Sequence, residues 1–138
     1  MQGSWIDEKK KGYLMVMTGV FFIAAVSHLI FPSYMIENSI WGFDFGWQRE
    51  LGAMYLAITF VNCYALYTHN DDQQHILVML AMTMCIGVGF NNLGAWLSSP
   101  LDHNSVHIVG VINFLIIGGF GGVYQGYRIM AKAVEQRQ

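Results

Sequence analysis

The chain has 138 residues, 54% of them apolar and 12% charged, with a formal net charge of −2. That length makes one domain, and that composition falls outside the balance of a water-soluble globular protein. So small a negative charge points away from nucleic acid and from a polybasic membrane anchor. Cys63 and Cys85 lack CxxC spacing and read as packing residues.

Four apolar runs follow one another: Tyr13 to Phe31, Glu50 to Tyr67, Ile76 to Leu97 and Val106 to Met130. Each is long enough to cross a hydrocarbon core, which needs about 20 helical residues. Only helices satisfy their own backbone at that depth. The predicted fold class is therefore all-α, an integral membrane antiparallel four-helix bundle forming one transmembrane domain over residues 1–138. Its helices run over about 13–31, 49–67, 75–97 and 105–130. The stretch VFFIAAV within the first has no polar stripe, as a helix of a soluble bundle would. That run is also too long, and too poor in small-x-small cleavage sites, for a secretory signal.

Along the chain, Lys9, Lys10 and Lys11 precede the first helix, whereas Arg128, Lys132 and Arg137 lie at or after the end of the fourth. Neither the 68–75 nor the 98–105 connection carries a Lys or Arg, so the positive-inside rule predicts that both termini are cytoplasmic. Between helices one and two, PSYMIENSIWGFDFGWQ places Trp41, Phe43, Phe45 and Trp47 two residues apart, with Glu37 and Asp44 among the aromatic and polar residues. Alternation suits a strand, but aromatics at a helix end suit an interfacial outer segment over 33–47, either a lid or a plain anchor. The 98–105 connection, SSPLDHNS, offers Pro100 as a breaker and Asp102, Asn104 and Ser105 as N-caps. Gly118, Gly122 and Gly126 share a helical face that permits close packing, within the bundle or against another protein.

Depth along antiparallel spans brings the polar residues to one level. His28 lies near the outer end of helix one, Arg49 and Glu50 open helix two, and Asn91 and Asn92 sit one to two turns below the end of helix three. His107 occupies the first turn of helix four, and Asn113 follows deeper on the face of Gly110. The inner half is mostly apolar, with Thr18, Thr59, Asn62 and Thr83 as exceptions. Ionisable groups inside spans are expensive and mark sites by default. Each also has a structural reading: Arg49 snorkels to headgroups, Glu50 complements a helix start, Asn91 and Asn92 hold helices together, and His107 is interfacial. His28, flanked by apolar residues within its span, is the strongest candidate, with Glu50 as a second catalytic group relaying a proton outward.

These residues suit a quinone-like ligand better than a metal or haem. His28, Glu50 and His107 lack the HxxxH or ExxH spacing that orients two ligands on one helix. A bis-histidine haem has only His28 and His107 to use within the spans, and the nine methionines are scattered, without MxxM clusters. A quinone ring, by contrast, takes His28, Asn92 and His107 as polar partners and Trp96, at i+4 from Asn92, as a wall, with lipid for its tail.

Two segments carry a family resemblance: GVFFIAAVSHLIFPSYM, with a basic residue and a leucine shortly before Pro32, and RELGAMYLAI, which opens the second helix. In these, and in topology over nearly the whole chain, the sequence resembles the DoxX-like superfamily of small four-helix membrane proteins, many of which have Lys where this chain has His28. The resemblance implies a multi-pass protein of the bacterial inner (plasma) membrane and a functional part for His28, Pro32, Arg49 and Glu50. It also implies a quinone-linked role, since one founding type is the small membrane subunit of a thiosulfate:quinone oxidoreductase. The competing expectation is a non-catalytic structural or assembly subunit, docked on a larger membrane-protein partner through the Gly118/Gly122/Gly126 face.

Overall fold

The computed structural model describes residues 4–40, 44–98 and 105–135. Trp41 and Phe43, and Pro100, Asp102 and Asn104 of the last connection, lie outside them. In chain order the elements are α1 (Ser4–Ile30), α2 (Pro32–Glu37), α3 (Phe45–Thr68), α4 (Asp71–Ser98), α5 (Ser105–Gly110), a π-helical segment (Val111–Phe120) and α6 (Gly121–Glu135). The last three form one continuous rod. Four stretches, Lys10–Ile30, Phe45–Thr68, Asp72–Ser98 and Ser105–Tyr127, are long and apolar enough to span a membrane. The protein is a multi-pass, all-helical bundle with no strand among the described residues.

The helices outrun the apolar segments. α1 begins at Ser4, well before Tyr13, because hydropathy registers what lies in lipid whereas the backbone ladder continues through the lysines. It stops at Pro32, which has no N–H to extend the ladder and instead takes the first position of α2 after Phe31 leaves helical geometry (φ −117°, ψ 45°). Part of the 33–47 connection is thus helical. At its far end the Asp44 carboxylate accepts from the Trp47 backbone N–H at 2.9 Å and caps α3.

The α3–α4 turn is short and tied at three points. His69 adopts a left-handed conformation (φ 53°), Asn70 Oδ1 accepts from the Gln73 N–H at 3.0 Å, and the Gln74 amide donates to the Ala65 carbonyl at 3.0 Å.

Packing joins α1 along α3 and α4 along the π-helical segment. Tyr13, Met17, Phe21 and Ala25 recur every four residues on α1 and meet Tyr55, Ala81, Cys85 and Phe114 in the main core. In the rod after Ser105 the buried positions are His107, Gly110, Val111, Phe114, Leu115, Gly118, Gly119 and Gly122, two lines each four apart. That spacing suits the wider turn of i→i+5 hydrogen bonding. A Cβ on Gly118 would fall 2.5 Å from Cys85 Sγ, and one on Gly122 would fall 2.8 Å from the Tyr13 hydroxyl. Both glycines are therefore consumed by packing inside the chain, and the Tyr13 hydroxyl donates to the Gly118 carbonyl at 2.7 Å. Gly126 has open space around it. Phe22, Phe60, Leu97 and Phe120 turn outward, as residues solvated by lipid do.

Candidate functional site

A cavity of about 680 Å³ opens in the half of the bundle nearest α2. Its floor is aromatic. Tyr55 and Phe114 stack at 5.7 Å between ring centres, and Phe21 lies against both at 6.0 and 6.2 Å, dividing the chamber from the apolar core. Among the described residues, no Asp, Glu, Lys or Arg lines its walls.

Two polar pairs stand above this floor, one on each packed pair of helices. On the first, His28 Nδ1 lies 2.5 Å from Gln48 Oε1, and the imidazole tilts over Tyr55 with ring centres 5.6 Å apart. An amide oxygen only accepts, so Nδ1 carries the proton and donates. The neutral ring then presents Nε2 as an acceptor, and Nε2 has no partner among the described residues.

On the second, His107 is fully buried. Its Nε2 accepts from the Ile40 backbone N–H at 3.1 Å, with the Ser39 hydroxyl at 3.4 Å. That nitrogen is unprotonated, so Nδ1 donates to Asn92 Oδ1 at 3.2 Å, while Asn92 Nδ2 donates to the Val88 carbonyl at 2.9 Å. Each of these donors has an acceptor. The result ties the segment after α2 onto α4 and α5, fixing a cover over the cavity.

A glycine lies one turn from each pair. A Cβ on Gly52 would sit 2.6 Å from Leu29 Cγ, so α1 and α3 approach closely beside His28 and Gln48. A Cβ on Gly110 would overlap the Asn92 side chain.

The mouth is apolar. Ile23 of α1 and Val109 of α5 both line the cavity, yet they remain 61% and 54% exposed, so the chamber opens sideways between those helices within the spanning segments. Tyr34 and Phe31 flank the opening on the α2 side.

Of the residues singled out in the sequence, His28, Asn91, Asn92 and Asn113 line the cavity, Asn91 from an exposed position. His107 lies behind the wall and holds Asn92. Arg49 and Glu50 are exposed and Trp96 is only partly covered, and none of the three borders the cavity. At about 100° per residue, Glu50 sits some 200° around α3 from Gln48. Gln48 and Tyr55 are the members that sequence reasoning passed over. They belong to the buried stripe Gln48, Gly52, Tyr55, Thr59, Asn62, Ala65, whose spacing of three and four was available in the sequence.

Among the described residues no group of three or more His, Cys, Asp or Glu side chains is disposed to hold a metal ion. Both ring nitrogens of His107 are committed to hydrogen bonds, so its pairing with His28 across a haem would require dismantling the cover. Comparison of the chain with protein-family models, with curated proteins and with solved structures found no match.

Proposed function

We propose that this chain is a bacterial inner-membrane protein that binds a quinone-like or similar small lipophilic ligand near the outer face of the bilayer, with both termini cytoplasmic. The observation that supports this most is the combination of an aromatic floor, two oriented polar pairs and a mouth formed by the lipid-exposed Ile23 and Val109. A lipophile reaching the site from the bilayer would rest its ring on Tyr55 and Phe114 and its polar head beside His28, Gln48 and Asn113, with its tail passing between α1 and α5. An uncharged lining suits a neutral head.

A place as the small subunit of a quinone-linked redox complex is consistent with the DoxX-like resemblance and with this chemistry.

Trp47 borders the cavity and provides the test. Titrating decylubiquinol into the protein in nanodiscs should change its tryptophan emission saturably, and Trp47→Phe should remove most of the saturable component. Emission that changes only in proportion to bilayer quinol, equally in both proteins, would contradict the reading.

A further inference from the structure

The hydrogen-bond directions around His28 narrow the ligand class further, on the footing of the lipophile site proposed above. Gln48 Oε1 takes the proton side of the ring, which leaves Nε2 as a lone pair on a cavity wall. The amides of Asn91 and Asn113, which also line the chamber, carry both donors and acceptors, so they adapt to either kind of head, whereas the Gln48 carbonyl oxygen is committed to His28. His28 does not adapt. Moving the proton to Nε2 to offer a donor would set a bare Nδ1 against the Gln48 carbonyl oxygen, and among the described residues no carboxylate borders the cavity to balance a doubly protonated ring.

We infer that the cavity selects a lipophile whose head donates a hydrogen bond, a phenol- or quinol-type hydroxyl, received by Nε2 of His28. A carbonyl head leaves that nitrogen facing another acceptor, and a site built around one hydrogen bond discriminates strongly against molecules that cannot make it. The hydroxyl also suits the aromatic floor. A phenol ring stacked on Tyr55 and Phe114 directs its O–H toward the imidazole, which tilts over the same tyrosine.

The experiment compares 4-dodecylphenol with its methyl ether and with dodecylbenzene, read by Trp47 emission in nanodiscs, with each affinity expressed per mole fraction of probe in the bilayer. The phenol should bind about tenfold or more tightly than either analogue, a gap equivalent to one hydrogen bond. His28→Phe should reduce that gap to less than about twofold. In wild-type protein labelled with 15N-histidine, the phenol should shift the His28 Nε2 resonance toward that of a hydrogen-bonded nitrogen, and the ether should not. This second readout holds even where the variant folds poorly. Equal affinity of phenol and ether, an unmoved Nε2 resonance, or a preference that survives in His28→Phe would overturn the inference while leaving a lipophile site standing. Saturable binding of none of the three probes would overturn both.

Discussion

Gln48 of α3 orients His28 of α1. The 2.5 Å contact from Nδ1 to Oε1 fixes which ring nitrogen carries the proton and so which one faces a ligand. Gln48 is itself buried, whereas its charged neighbours Arg49 and Glu50 are exposed. Replacing Gln48 with Leu should therefore weaken ligand binding by about tenfold or more, the loss of one buried hydrogen bond at the site. Glu50→Gln, made on the other side of the same turn, should alter neither binding nor melting temperature. Titration of both variants with the same probe checks the pair.

Close approach of α1 and α3 depends on Gly52. A Cβ there meets Leu29, next to His28, so Gly52→Val should force the helices apart, destabilise the fold by about 1–3 kcal/mol and separate His28 from Gln48. Gly87, where an added Cβ would meet nothing within 4 Å, is the control. Gly87→Ala should leave the melting temperature unchanged or raise it, since alanine favours the helix. Thermal unfolding in detergent distinguishes the two.

How much of this was legible in the sequence varies with the physical signal. The four spans were legible because lipid demands uninterrupted apolar helices, and Pro32 marks the break between α1 and α2 through its missing N–H. Shared depth suggested a polar layer, and the structure does bring Asn92 to His107. Depth alone does not give azimuth. Charge drew attention to Arg49 and Glu50, whereas the three-and-four spacing through Gln48, Gly52 and Tyr55 carried the facing information. The lateral opening follows from which helices pack together, α1 with α3 and α4 with the π-helical segment, and a list of spans does not specify that pairing. Nor does composition mark the change to i→i+5 bonding over Val111–Phe120.

His107 holds the cover by accepting from the Ile40 amide. His107→Leu should strand that N–H and the Asn92 amide oxygen and lower stability by about 1–3 kcal/mol. The local signature is more specific than the stability change. Hydrogen exchange at the Ile40 amide should speed up in the variant while amides of the α1 core, such as Phe21, keep their protection. Unchanged exchange at Ile40 would mean that the cover is held by other contacts.

Asn62 presents the opposite case. It is fully buried on α3, and neither its amide oxygen nor its nitrogen has a hydrogen-bond partner among the described residues. Burying an amide without partners costs about 1–3 kcal/mol on the scale of protein substitutions. Asn62→Leu, of similar volume, should raise the melting temperature without touching the cavity. A fall in melting temperature would show that the amide makes bonds essential to the fold.

The function proposed for this protein stands or falls on a lipophile occupying the chamber and entering it from the bilayer between α1 and α5. Photocrosslinking reads that occupancy in the unaltered protein, with a dodecylphenol bearing a diazirine on its tail added in nanodiscs and the labelled peptides mapped by mass spectrometry. Labels should concentrate on α1 around Ile23 and on the α5 and π-helical stretch around Val109 and Asn113, and excess unlabelled dodecylphenol should remove them. Labelling spread evenly over outward residues such as Phe60, Ile76 and Phe120, and unaffected by competitor, would contradict it.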